Sequence, residues 1–135
     1  MKEKITIYTS KTCPYCDTVK DKLRDANIKF TEKNTVKSIK EWKEVFNLTA
    51  MPTTPTIEID GEFLIPGRDF QNPQQLIEVL SNFKKSKYDN NRRSLELLRT
   101  LNFNIFTAFN RMQQILQQIE NNTKKEEENV NKSAS

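Results

Sequence analysis

The chain reads as an α/β domain followed by a long amphipathic helix, and three observations predict that class. Ile5-Thr6-Ile7-Tyr8 alternates like a half-buried strand, Cys16, Val19, Leu23 and Ala26 recur at helical spacing, and Ile28-Lys29-Phe30-Thr31 reads as a second strand. Strand, helix, strand is a βαβ unit with a parallel pair. Asp60-Gly61 stands between the alternating runs Thr56-Ile57-Glu58-Ile59 and Glu62-Phe63-Leu64-Ile65, a strong hairpin signal. Leu98, Leu101, Ile105, Ala108, Met112, Ile115 and Ile119 alternate three and four apart, the a/d pattern of heptads.

After the first strand, the polar loop Thr9-Ser10-Lys11-Thr12 leads to Cys13-Pro14-Tyr15-Cys16, which holds both cysteines of the chain. Pro14 suits the first helical position, where a missing N–H costs nothing. The spacing turns Cys16 toward the core and leaves Cys13, ahead of the helix, nearer solvent. Unpaired N–H groups at a helix N-terminus favour a thiolate, so Cys13 is the candidate nucleophile and Cys16 the resolving thiol. A structural zinc site would need two further Cys or His ligands. The chain has no histidine and no third cysteine, so only two chains pooling four thiolates could build one, and no metal is expected. A purely structural bridge over so short a loop would remove little chain entropy. The lack of histidine also removes Cys–His nucleophilic catalysis.

Further along, Ile39, Trp42 and Phe46 share one face of a helix expected over 36–46, with Trp42 in the core. Met51-Pro52-Thr53-Thr54-Pro55 can be neither helix nor central strand, because two prolines fix φ and remove donors. Pro66-Gly67-Arg68-Asp69 turns the chain. Asn72-Pro73-Gln74-Gln75 opens a helix with an N-cap and a proline at its first position, and Leu76, Ile77, Leu80 and Phe83 form its apolar face.

A length of 135 residues predicts one domain of roughly 100 residues plus an appendage. No apolar run is long enough to span a bilayer and Met1-Lys2-Glu3-Lys4 does not open a signal peptide, so a soluble, cytoplasmic protein without a membrane partner is expected. Residues 1–83 carry 12 basic and 12 acidic side chains, and the remainder carries 10 and 6, so the net charge of +4 lies wholly in the C-terminal part. Lys84, Lys85, Lys87, Arg92 and Arg93 read as a solvated basic linker, and without a series of interleaved aromatics they argue against nucleic acid as a partner.

Residues 1–83 resemble a dithiol glutaredoxin of the thioredoxin fold. The resemblance rests on the segment Tyr8 to Cys16, on Thr53-Thr54-Pro55 in place of the family's Thr-Val-Pro, on Ile57-Glu58-Ile59-Asp60-Gly61, and on Pro66-Gly67-Arg68-Asp69 in place of its Gly-Gly-x-Asp. It implies a central four-stranded mixed sheet flanked by helices, and a cis Pro55 facing Cys13. Glutathione is implied as co-substrate: Thr54 would pair its backbone with the extended tripeptide, Asp69 would meet the α-amino group, and the turn at Gly67 and Arg68 would offer N–H groups to the γ-glutamyl carboxylate. Lys11 would meet the glycyl carboxylate and Tyr15 would line the groove. The implied activity is reduction of protein or glutathione-mixed disulfides, part of redox homeostasis. Three departures, Ser10 where a lysine is common, Pro52, and Pro66 for the first glycine, keep open a redoxin reduced by thioredoxin reductase, with ribonucleotide reductase as a client by resemblance. A shared iron–sulfur cluster, known among relatives, is disfavoured by Pro14.

The resemblance ends near Phe83. The expected organisation is a redox domain over 1–83, the basic linker over 84–93, an amphipathic helix over 94–120 and a disordered tail over 121–135. Leu95, Phe109 and Leu116 widen the heptad stripe, and Phe103 and Phe106 add apolar surface outside it. Two readings follow: the helix docks on its own domain, or it associates with copies of itself or with a partner, and self-association as a coiled coil is the expectation adopted for 94–120. In a further reading the fold is a scaffold acting through this helix.

Overall fold

The computed structural model describes residues 3–87 and 91–134. Its elements run β1 (Ile5–Thr9), α1 (Pro14–Asp25), β2 (Thr31–Asn34), α2 (Ile39–Thr49), β3 (Thr56–Ile59), β4 (Glu62–Leu64), α3 (Pro73–Ser81) and α4 (Arg92–Ser133). The strands form one sheet in the order β2-β1-β3-β4. β1 and β2 are parallel with Thr6 opposite Thr31, β1 and β3 antiparallel with Ile7 opposite Ile57, and β3 and β4 antiparallel with Ile57 opposite Leu64. A βαβ unit joined to a hairpin in one mixed sheet is the thioredoxin-like fold that the sequence predicts.

Alternation along the strands gives the sheet two apolar faces. Ile5, Ile7, Ile57, Ile59 and Leu64 belong to a core closed by Val19 and Leu23 of α1 and by Leu76 and Leu80 of α3. Tyr8, Phe63 and Ile65 form the other cluster with Val45 of α2, against which Trp42 and Leu48 pack. The hairpin turn places Asp60 at φ 48° and Gly61 at φ 84°, the left-handed pair that a two-residue turn between twisted strands requires. At the start of α3 the Asn72 side chain accepts the Gln75 N–H at 2.9 Å.

Several elements differ from their expected positions. β2 begins at Thr31, and Ile28 and Phe30 instead pack against the first core on the approach to the strand. This edge strand therefore carries polar residues, and its apolar signal lies just ahead of it. α2 runs Ile39–Thr49 rather than 36–46, and Val45 and Thr49 are its buried positions while Ile39 and Phe46 are about half exposed. Thr49 tolerates burial because its hydroxyl donates to the Val45 carbonyl at 2.8 Å, a bond that apolar spacing does not reveal.

α4 starts at Arg92 and continues through 121–133, where the sequence reads as a tail. Neither proline nor glycine interrupts that stretch, and Lys124 pairs with Glu120 one turn back at 3.0 Å. Of the expected linker 84–93, residues 88–90 lie outside the described residues, and Arg92 and Arg93 are helical. The chain divides into two units between Thr100 and Leu101. The first turns of α4 thus belong with the sheet, because Glu96 and Thr100 are buried there. In the second unit the large apolar residues of the stripe, from Leu101 to Ile119, are exposed.

Candidate redox site

The site is built at the N-terminus of α1. β1 ends at Thr9, and the following turn delivers Cys13 as the N-cap residue, with Pro14 at the first helical position. The Cys13 sulfur accepts the Cys16 N–H at 3.1 Å, satisfying one of the orphan donors of the helix start. Cys13 and Cys16 are joined as a disulfide with their α-carbons 5.2 Å apart. Cys16 is 1% exposed, whereas Cys13 is only partly buried, so the sulfur a second molecule can reach is that of Cys13.

Behind the cysteines a polar bridge fixes the end of β1. The Thr9 hydroxyl donates to Glu32 at 2.7 Å and Lys20 reaches the same carboxylate oxygen at 3.0 Å. The Thr9 hydroxyl, with Lys20, holds the Glu32 carboxyl below the usual carboxylate range, and Glu32 in turn raises the Lys20 ammonium. On the other face of the sheet, burial and the neighbouring Glu58 push the Tyr8 phenol up, and its hydroxyl donates to Glu58 at 3.0 Å.

The loop before β3 meets the loop after β1. The Thr54–Pro55 peptide bond is cis, Pro55 is buried, and the hydroxyls of Thr54 and Ser10 lie 3.2 Å apart. Ser10 had no assigned role in the sequence. Its signal was a second hydroxyl residue appearing where Thr54 replaces an apolar one.

The remaining sequence-selected residues are distributed as follows. Lys11 is exposed on the turn ahead of Cys13. Tyr15 packs against the first core with its hydroxyl buried and unpartnered, and burial raises its phenol. That hydroxyl faces inward rather than toward an open groove. Gly67 has φ 84° and its N–H donates to the Phe70 carbonyl at 2.8 Å, so the turn itself uses that amide. The Arg68 side chain is 1% exposed, so the partial exposure of this residue is that of its backbone. Asp69 accepts the Ile65 N–H and Arg68 Nε on one oxygen, Oδ2, each at 2.8 Å, and its Oδ1 has no such bond among the described residues.

Two residues outside the sequence-based selection converge on this turn. Glu96, fully buried, accepts from Arg68 at 2.8 Å, and Thr100 donates to the Thr49 carbonyl at 2.6 Å. Glu96 is the only acidic residue in 94–119, and it lies off the apolar stripe. Those two features were its sequence signal. Among the described residues no group of three or more His, Cys, Asp or Glu side chains is arranged to hold a metal ion.

A cysteine pair at the first turn of α1, one residue partly exposed and one enclosed, in a chain whose sheet has this topology and whose β3 is preceded by a cis proline, defines a thioredoxin-like fold with a dithiol/disulfide centre. Comparison with known proteins narrows the class. The glutaredoxin family model matches residues 5–64. An uncharacterised glutaredoxin-like 8.6 kDa protein in the rubredoxin operon of Clostridium pasteurianum is 36% identical over 61 residues, covering 45% of this chain and 81% of that protein. Among solved structures, the thioredoxin-like protein BC3987 is 32% identical, with 58% of this chain and 96% of that one covered at a TM-score of 0.46. A mutant of it gives 30% identity, 57% and 99% coverage and a TM-score of 0.49. The chain belongs to the glutaredoxin family. The family-model match stops at Leu64, ahead of the Pro66–Asp69 turn and of α4.

Proposed function

We propose that the protein is a glutathione-dependent thiol–disulfide oxidoreductase of the cytoplasm that reduces protein or glutathione-mixed disulfides through Cys13 and Cys16. The observation that carries this reading is the accessible Cys13 sulfur at the helix start, bonded to the enclosed Cys16. Beginning from the reduced pair, the Cys13 thiolate attacks a substrate disulfide, that S–S bond breaks, and one substrate thiolate leaves. Cys16, deprotonated in turn, attacks the Cys13 sulfur and expels the second substrate thiolate, leaving the Cys13–Cys16 disulfide. Two electrons pass to the substrate, and two glutathione molecules return them by forming oxidised glutathione. The Cys16 N–H aimed at the Cys13 sulfur supports the nucleophile's role, because it offers a donor to the anion.

For glutathione, the reading uses the Thr54 backbone beside Pro55, the Asp69 Oδ1 oxygen for the α-amino group, the Arg68 N–H in the turn at Gly67 for the γ-glutamyl carboxylate, and exposed Lys11 for the glycyl carboxylate. Tyr15 contributes the edge of its half-buried ring. The engaged Gly67 amide favours a second reading, in which thioredoxin reductase supplies the electrons and ribonucleotide reductase is a client. A coupled assay with glutathione and glutathione reductase tests the choice. Turnover there supports glutathione, and turnover with thioredoxin reductase alone would reverse it.

The helix over 94–120 is read as a self-association element. Leu98 is 62% exposed while Glu96, two residues before it, is fully buried, so α4 meets its own domain through a polar face and leaves the stripe open from its first residue. Leu101, Ile105, Phe109, Met112, Ile115, Leu116 and Ile119 each keep about half their surface in water. Arg111 is the one charge in 101–119, so association would take little charge out of water.

A further inference from the structure

Glu96 belongs neither to the thiol chemistry nor to the apolar stripe, yet its carboxylate is fully buried and collects three donors. Oε1 accepts the Phe63 N–H at 3.1 Å and Arg99 Nη1 at 3.3 Å, and Oε2 accepts Arg68 Nη2 at 2.8 Å. A carboxylate persists out of water only when so satisfied. Arg68 is equally committed: Nη2 also donates to the Phe63 carbonyl at 2.9 Å, and Nη1 points to Thr100 Oγ1 at 3.3 Å and the Glu96 carbonyl at 3.4 Å. The β4 edge thus has its Phe63 N–H and C=O capped by side chains. Thr100 in turn donates to the Thr49 carbonyl, at the end of α2 from which the loop to Pro55 departs.

The consequence falls on Asp69. With both Nη groups held by Glu96, Phe63 and Thr100, Arg68 has only Nε for Asp69, and it takes one oxygen. A guanidinium released from Glu96 could fork both carboxylate oxygens, the geometry that Arg–carboxylate pairs prefer. We infer that the root of α4, Arg92–Thr100, braces the substrate-binding face, and that Glu96 is a positioning residue that holds Arg68 so that Asp69 keeps one oxygen for the ammonium of a γ-glutamyl disulfide. This rests on the reading of Asp69 given above.

The test uses the full chain and a glutathionylated cysteine peptide as substrate. Glu96→Gln is expected to raise KM about tenfold, the loss of one charge-assisted hydrogen bond, with kcat within about twofold of native. Asp69→Asn is expected to raise KM at least as much, and Glu96→Gln added to it should raise KM no further, because Glu96 acts through Asp69. A native KM in Glu96→Gln alongside a raised KM in Asp69→Asn overturns the inference. If Asp69→Asn leaves KM unchanged, it is the assignment of Asp69 that fails. The brace is then judged by hydrogen exchange at the Ile65 amide, which Asp69 accepts: lost protection in Glu96→Gln upholds it and native protection overturns it. Should Glu96→Gln not fold, Thr100→Val is read in the same two ways.

Discussion

Single side chains fix the frame around the cysteines, and two of them give stability predictions. Glu32 accepts the Thr9 hydroxyl and pairs with Lys20, which depresses its carboxyl in the folded chain. A depressed carboxyl stabilises the fold above its unfolded value, about 4.3, and that contribution is lost as pH falls through the folded value. Glu32→Gln should therefore lower stability at pH 7 by less than about 1 kcal/mol, since the pair is partly exposed, and the difference from native should shrink below about pH 4. Urea denaturation at several pH values checks this. Glu96 is the stronger case. Removing its carboxylate leaves the buried Phe63 N–H without its acceptor and the enclosed Arg68 with Asp69 as its one carboxylate partner, so Glu96→Ala should cost roughly 3 kcal/mol, read as a shift of the denaturation midpoint. A loss below about 1 kcal/mol would mean that the cluster carries little of the fold.

Among the elements, those with strong local signals were legible in the sequence and those placed by long-range polar bonds were not. The hairpin at Asp60-Gly61, the α1 start at Pro14 and the Asn72 cap of α3 follow from residues whose backbone preferences decide the geometry. β2 was displaced because Ile28 and Phe30 are apolar for packing rather than for pairing. The buried face of α2 includes Thr49, which its own hydrogen bond makes tolerable. α4 divides in the same way. Its heptad stripe is read directly from spacing, whereas the buried residues of its docking face are Glu96 and Thr100, whose partners Arg68 and Thr49 are 28 and 51 residues away in sequence, and Arg92 and Arg99 beside them pair with Glu58 and Glu62. The stripe predicts an outcome of its own. Ile105→Asp combined with Ile115→Asp should leave the redox unit folded and reduce the mass measured by light scattering to that of a monomer. A native chain already monomeric at the same concentration would contradict self-association.

For the whole molecule, the cysteine pair was readable from four residues, whereas the residues proposed to meet glutathione come from separate regions of the chain. Cys13 and Cys16 stand on α1, Thr54 and Pro55 before β3, and Asp69 after β4, with Ser10 joined to Thr54 and Arg68 joined to Glu96. The root of the appended helix, through Thr100, therefore belongs to the first unit. In the proposed exchange Cys13 attacks and Cys16 resolves. Intact-mass spectrometry on full-length chains exposed to oxidised glutathione tests it most directly. Cys16→Ser should accumulate one glutathionyl group, located at Cys13 by peptide mapping, and should still turn over glutathione-mixed disulfides. Cys13→Ser should stay unmodified and inactive. Modification of Cys16 in the Cys13→Ser chain, with activity retained, would contradict the account.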